Sequence, residues 1–216
     1  MKIITTILSF FAIFCLSSCK NTSLDKAKIS QLRQNAYYYE CADFSLFTYP
    51  EQCENPQKDD GIKNALVNRL CFKLQFASVS PTDNCSVEFF IGDKNYHANF
   101  EYSPLSTFLY CTVFVETLPK DELYVKFNLN GKTIGANLSP LKNKTTISFD
   151  KILNNLKNND EFVKEFLQKD DGEIKIRFID NDGFDYWYFG FIDEKTTTSY
   201  LIDGQTGEVL AVKPEK

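Results

Sequence analysis

A chain of 216 residues, 43% apolar and 15% aromatic with 25% charged side chains, has enough apolar mass for one or two buried cores, and its nine Gly and seven Pro exclude a disordered or collagenous polymer. Lys and Arg number 24 against 29 Asp and Glu, a net charge of −5 with no basic block, so the electrostatics that hold a phosphate backbone are missing. A globular protein with no nucleic-acid partner is expected.

Residues 1–18 carry the three regions of a secretory signal peptide: Lys2, an apolar run from Ile3 to Leu16, and the small pair Ser17 and Ser18. The run is shorter than the roughly 20 apolar residues of a membrane-spanning helix, and no second run of that kind follows. Leu16-Ser17-Ser18-Cys19 resembles the lipobox of bacterial lipoproteins. That resemblance implies cleavage before Cys19, a diacylglycerol on its thiol, an acyl chain such as palmitate on its new amino group, and a cell-envelope protein held to the membrane by lipid. Two or three acyl chains anchor stably where one holds marginally. Lys20, in place of a retaining Asp, is similar to the pattern sent to the outer membrane of cells that have one. An ordinary signal peptide cut beside a chance Cys is the alternative, and Asn-x-Ser/Thr triplets at Asn21, Asn84, Asn137 and Asn143 keep a secreted glycoprotein in competition.

Residues 19–61 read as a lipid-anchored tether. Leu24, Ala27, Ile29, Leu32 and Ala36 have the spacing of a short amphipathic helix up to Tyr39, followed by a Cys loop and a polar segment from Glu51 to Gly61. Period-two alternation then begins and predicts strands at 66–77, 85–91, 95–102, 107–117, 122–129 and 132–138. Gly92-Asp93 and Asn130-Gly131 separate neighbours, the latter a two-residue hairpin pair suited to positive φ. Residues 62–141 therefore read as a β-sandwich of immunoglobulin-like type, although the Trp that such a core carries beside its cystine is absent.

From 145 onward the period becomes helical. Phe149, Ile152, Leu153 and Leu156 form one stripe and Phe162, Val163, Phe166 and Leu167 another, interrupted at Asn158-Asn159-Asp160, so one bent helix or two short ones are expected up to Lys169, with Ser148 or Asp150 as the cap. Strands are expected at 173–180, 184–193, 196–203 and 207–212, making a small α+β domain, helix on antiparallel sheet. The ending Tyr200-Leu201-Ile202-Asp203-Gly204-Gln205-Thr206-Gly207-Glu208-Val209-Leu210, after Tyr186-Trp187, resembles the carboxy-terminal signature of PepSY-type modules. The resemblance covers about a third of the chain and implies regulation or inhibition of peptidases, or binding in the cell envelope.

Export gives the cysteines meaning, because the compartment permits disulfides. Cys41, Cys53, Cys71, Cys85 and Cys111 follow the signal, an odd number. Strand parity points Cys85 and Cys111 to a core and makes them the first pair; Cys41 and Cys53 bracket a loop they could close; Cys71 is then the odd thiol. No metal or cofactor motif accompanies them, and the lone histidine, His97, sits mid-strand on a wet face.

Two features could carry function. Asp180, Asp182 and Asp185 belong to an acidic crowd that reads as a hairpin turn, with calcium binding and a glycan hydrolase as weaker readings. Tyr186, Trp187 and Tyr188 lie on a strand apolar on both faces, so one face either packs against the other domain or meets a partner. A non-enzymatic protein- or peptide-binding module is the function expected, with a peptidase inhibitor and a glycan hydrolase as alternatives.

Overall fold

The computed structural model describes residues 26–76, 84–103, 108–194 and 196–215. The signal segment, Cys19 and Asn21 lie outside the described residues. The strands are β1 (Ile29–Arg33), β2 (Tyr37–Glu40), β3 (Phe44–Glu54), β4 (Leu66–Phe76), β5 (Cys85–Ile91), β6 (Lys94–Asn99), β7 (Glu101–Ser103), β8 (Phe108–Val115), β9 (Leu123–Leu129) and β10 (Lys132–Pro140). Helices α1 (Phe149–Asn159) and α2 (Glu161–Gln168) follow, then β11 (Glu173–Asn181), β12 (Phe184–Ile192), β13 (Thr197–Asp203) and β14 (Val209–Glu215). Among the described residues no helix is long and apolar enough to cross a membrane.

Hydrogen-bonded neighbours run without interruption in the order β14-β13-β12-β11-β1-β3-β2-β10-β9-β5-β6, with β4, β8 and β7 branching from the other edge of β3. Two cores lie along this path. The first is built from inward residues of β3, β4, β5, β8, β9 and β10, among them Leu46, Phe72, Val87, Phe89, Leu109, Val125, Phe127 and Leu138. The second is built where the stripes of α1 and α2 cover β11, β12 and β13: Leu153, Val163 and Phe166 against Ile176, Phe178, Trp187, Phe189, Phe191 and Ile202.

Local chemistry accounts for most of these elements. Ser148 caps α1, its side chain accepting from the Lys151 amide. Asp160 both ends α1, its amide donating to Leu156, and begins α2, its carboxylate accepting from Val163 N, so the polar interruption yields two helices rather than one bent helix. Asn130 and Gly131 both have positive φ, 49° and 84°, as do Asp182 and Gly183, 53° and 81°, so both hairpins close with the expected two-residue turns. In the carboxy-terminal signature, Asp203 accepts from the amides of Gln205 and Thr206, which hold its carboxyl below the usual range and shape the turn into β14.

The tether is where structure and expectation part. Residues 29–54 form three strands, and β1 is the seam between the two cores: it pairs in parallel with β11 and antiparallel with β3. The helix-like spacing of Ile29 and Leu32 has a different cause. A bulge between Ile29 and Gln31 places Ile29 opposite Ile174 and Leu32 opposite Ile176, so residues three apart face the same core from a strand. Strand β3 was hidden by Pro50, which lies where its edge passes from β2, last paired at Thr48, to β1, first paired at Gln52.

None of the five described cysteines is joined in a disulfide, so neither expected bond is present in this structure. Cys85 and Cys111 do share the first core, as parity required, but they pack there as small buried side chains. Cys41 and Cys53 lie beyond reach of one another. Cys41 bonds to Phe44 at the start of β3 and Cys53 is near its end, so the extended strand separates them by about 30 Å, far beyond the roughly 7 Å limit of a disulfide.

Candidate ligand-binding face

Both helices pack on one side of β11, β12 and β13, and alternation sends the strands' other residues to the opposite side. Trp187 is therefore core: it is 0% exposed, packs tilted against Phe149 and edge-on to Phe178, and donates its indole N–H to the Ile147 carbonyl. This corrects its place among the expected binding residues. Tyr186 and Tyr188 remain partly exposed on the helix-free side, with the Tyr188 hydroxyl bonded to Ser199. The amino-terminal half does not stack over them. It continues the same sheet edge to edge through β1.

One transverse row therefore runs across this face from β8 to β14. Phe114 opposes Arg69, Arg69 opposes Glu51, Arg33 opposes Arg177, Arg177 opposes Tyr188, Tyr188 opposes Leu201 and Leu201 opposes Ala211. Glu51 and Arg33 join the two parts of the row through an ion pair at 3.2 Å. Toward β8 the face continues into a shallow depression of about 260 Å³ lined by Tyr49, Cys71, Lys73, Phe108 and Tyr110.

Glu51 is the electrostatic centre and is 1% exposed. Its Oε1 accepts from Arg69 Nε at 2.8 Å and Nη2 at 2.6 Å, and its Oε2 accepts from Gln31 Nε2 at 2.7 Å and Arg33 Nη2 at 3.2 Å. Burial pushes its carboxyl up, but the charge of Arg33, the bond and charge of Arg69 and the bond from Gln31 outweigh burial, so it titrates below the usual carboxylate range. Gln31 in turn accepts from Arg177 Nε at 2.7 Å. Tyr49 lies 3.6 Å beneath the Arg33 guanidinium and Tyr188 lies 5.3 Å from that of Arg177. Burial, with the nearby Cys71, lifts the Tyr49 phenol to about 12 against the opposing charge of Arg33, so it stays a neutral ring.

The segment between β3 and β4 straps one end of the face. Asp59 pairs with Lys175, Gln57 accepts from Arg69, Glu173 accepts from the Gly61 amide at 2.8 Å, and Glu54 accepts from the Asn64 amide. Gly61 has φ of 75°, and a Cβ there would approach the backbone of Asp193 and Glu194 to 3.0 Å, so the strap crosses at the one residue type that fits. Arg33, Arg177, Tyr186 and Tyr188 belong to none of these strap contacts.

The remaining expected residues lie elsewhere. Cys71 is on the face but buried between Tyr49 and Thr112, and burial raises its thiol. His97 is exposed opposite Glu88. Register brings Asp180 opposite Asp185, and burial followed by the charge of Asp185 raises Asp180. Asp185 itself faces the helix side, buried, accepting from Asn143 N and Thr146 Oγ1 of the connection into α1. Asp182 sits at the hairpin tip. Among the described residues no group of three or more His, Cys, Asp or Glu is arranged to hold a metal.

Arg33, Arg69 and Arg177 escaped sequence reasoning because they lie on three strands far apart in the chain. Only pairing of three distant strands gathers them. Compared with the models of protein families, with curated proteins and with solved structures, the chain matches none, so its function is read from this face.

Proposed function

We propose that the chain is an exported, lipid-anchored and non-enzymatic binding module that presents the helix-free face of its sheet to an extended segment of another protein in the cell envelope. In this reading Cys19 carries the anchor, the strands around the first core form an immunoglobulin-like sandwich, and residues from 145 onward form a PepSY-like α+β module. The observation that carries it is the face itself: Tyr186 and Tyr188 partly exposed on a rigid strand, continuous with exposed Tyr110 and Phe114 on β8. Aromatic rings held on a sheet give large contact area at small entropic cost, as protein-recognition surfaces require.

Selection of a random peptide library on the immobilised mature chain tests this. Peptides that bind the wild type and lose at least about tenfold in affinity to the Tyr186→Ala, Tyr188→Ala double variant support the reading; one lost aromatic anchor typically costs more than 1 kcal/mol. Selected peptides indifferent to both tyrosines would overturn it.

A further inference from the structure

We infer that Arg33 and Arg177 form a carboxylate-binding site, and that the segment the open face receives is acidic. The inference rests on the peptide-binding reading and names the chemistry of the partner.

The two arginines are register partners on parallel strands and share the face that carries Gln31 and Glu51. Like charges side by side on neighbouring strands repel, so the arrangement calls for an anion between or above them. The one buried carboxylate of the row cannot serve both. Both oxygens of Glu51 are occupied, Oε1 by Arg69 through two nitrogens and Oε2 by Gln31 and Arg33. Two guanidiniums, Arg33 and Arg69, thus share this carboxylate, and Arg177 reaches only the Gln31 amide. Among the described residues Arg177 donates only its Nε, and to an amide oxygen, which leaves the terminal amino groups of its fork without an acceptor.

The forks are also held in place before any ligand arrives. Arg33 lies on Tyr49 and Arg177 on Tyr188, so their planes have lost much of the rotational freedom that a lysine would keep. Glu51 shows what such forks accept here, a carboxylate oxygen that takes both Nε and Nη2 of Arg69. The cationic row is local, in a chain whose net charge is −5, so attraction is confined to this face. An extended polypeptide fits better than a small ion, because the row continues on one side to Tyr188 and on the other to exposed Phe114, offering contacts for residues that flank the acid.

Fluorescence anisotropy of labelled hexaglutamate and hexaglutamine peptides on the mature chain provides the test, with inorganic phosphate as a further arm. Hexaglutamate is expected to bind at low salt, to weaken as salt is raised, and to lose about tenfold or more in Arg177→Gln while Arg177→Lys retains part of the affinity. Should Arg177→Gln melt early, the salt dependence of the unmodified chain and the Arg177→Lys variant carry the comparison. Equal binding of hexaglutamine would overturn the acidic partner and leave the peptide-binding reading standing. Hexaglutamate binding that ignores Arg177, failure of hexaglutamate to bind at all, or Arg177-dependent binding of phosphate without hexaglutamate would each overturn the site as stated.

Discussion

Arg33 and Arg177 stand side by side in parallel register, and only Arg33 reaches a carboxylate. The strand that carries Arg33 is the seam between the two cores, so the charge arrangement of the face and the joining of the molecule depend on the same few residues. Glu51 links these roles, since it ties β1 through Gln31 and Arg33 to β4 through Arg69.

Replacing Glu51 by Gln should therefore destabilise the fold. Removing one member of a buried charged group strands the others, at a cost of about 3–5 kcal/mol. Urea denaturation of Glu51→Gln is expected to show a lower midpoint with an unchanged slope. A midpoint equal to wild type would mean that the network contributes no stability.

The same carboxylate sets an acid limit. Its value in the folded chain lies below the ordinary one, so folding favours the ionised form. The contribution is fully present above the unfolded value of about 4.3 and is lost as pH falls through the lower folded value. Stability from this group should be level from neutral pH to about 5 and decline below about 4, a decline that Glu51→Gln should flatten. Denaturant midpoints across pH check both curves.

Gly204→Ala is expected to lower stability by about 1–3 kcal/mol through overpacking. A Cβ at Gly204 would lie 2.6 Å from the Asp185 carbonyl oxygen and 2.9 Å from its carbon, atoms of a central strand that cannot give way. Gly204 also receives the Ile147 amide at 2.7 Å, so displacement would pull on the entry to α1. Calorimetric Tm of the variant measures the loss.

The chain from Lys20 onward should release five thiols when unfolded without reductant, with only Cys41 reacting quickly in the native state. Cys41 is the half-buried one; burial lifts the Cys53 thiol to about 11 and raises those of Cys71 and Cys111, so few thiolates are present to react. A count of three on unfolding would reveal a cystine.

The lipid-anchor reading predicts that intact mass of the protein made in a lipoprotein-processing bacterium shows a mature terminus at Cys19 bearing acyl groups. Cys19→Ser should leave the membrane fraction. An unmodified wild-type terminus would remove the anchor from the proposal.

Much of the fold was legible along the chain because its causes are local. Strand limits from Leu66 to Pro140 and from Glu173 to Asp203 follow period-two alternation and the turns at Asn130-Gly131 and Asp182-Gly183 to within a few residues, except that the strand expected at 95–102 is parted at Phe100 into β6, which pairs with β5, and β7, which pairs with β8. The division of the helical segment at Asp160 follows from a side chain able to cap. The candidate site was legible only in half. Alternation placed Tyr186 and Tyr188 opposite Trp187, but which side the helices would cover depends on packing, and that decided that Trp187 is core.

From the sequence alone came the periods, the turns, the caps and the exported character expected of the first nineteen residues, all properties of neighbours in the chain. Tertiary structure alone decided that Ile29–Arg33 is a strand, that it lies between β3 and β11, and that Arg33, Arg69, Arg177 and Glu51 meet on one face. The reason is physical. A strand is completed by partners that can lie anywhere in the chain, and a single bulge at Ile29–Gln31 shifts the side-chain period enough to imitate a helix until those partners are in place.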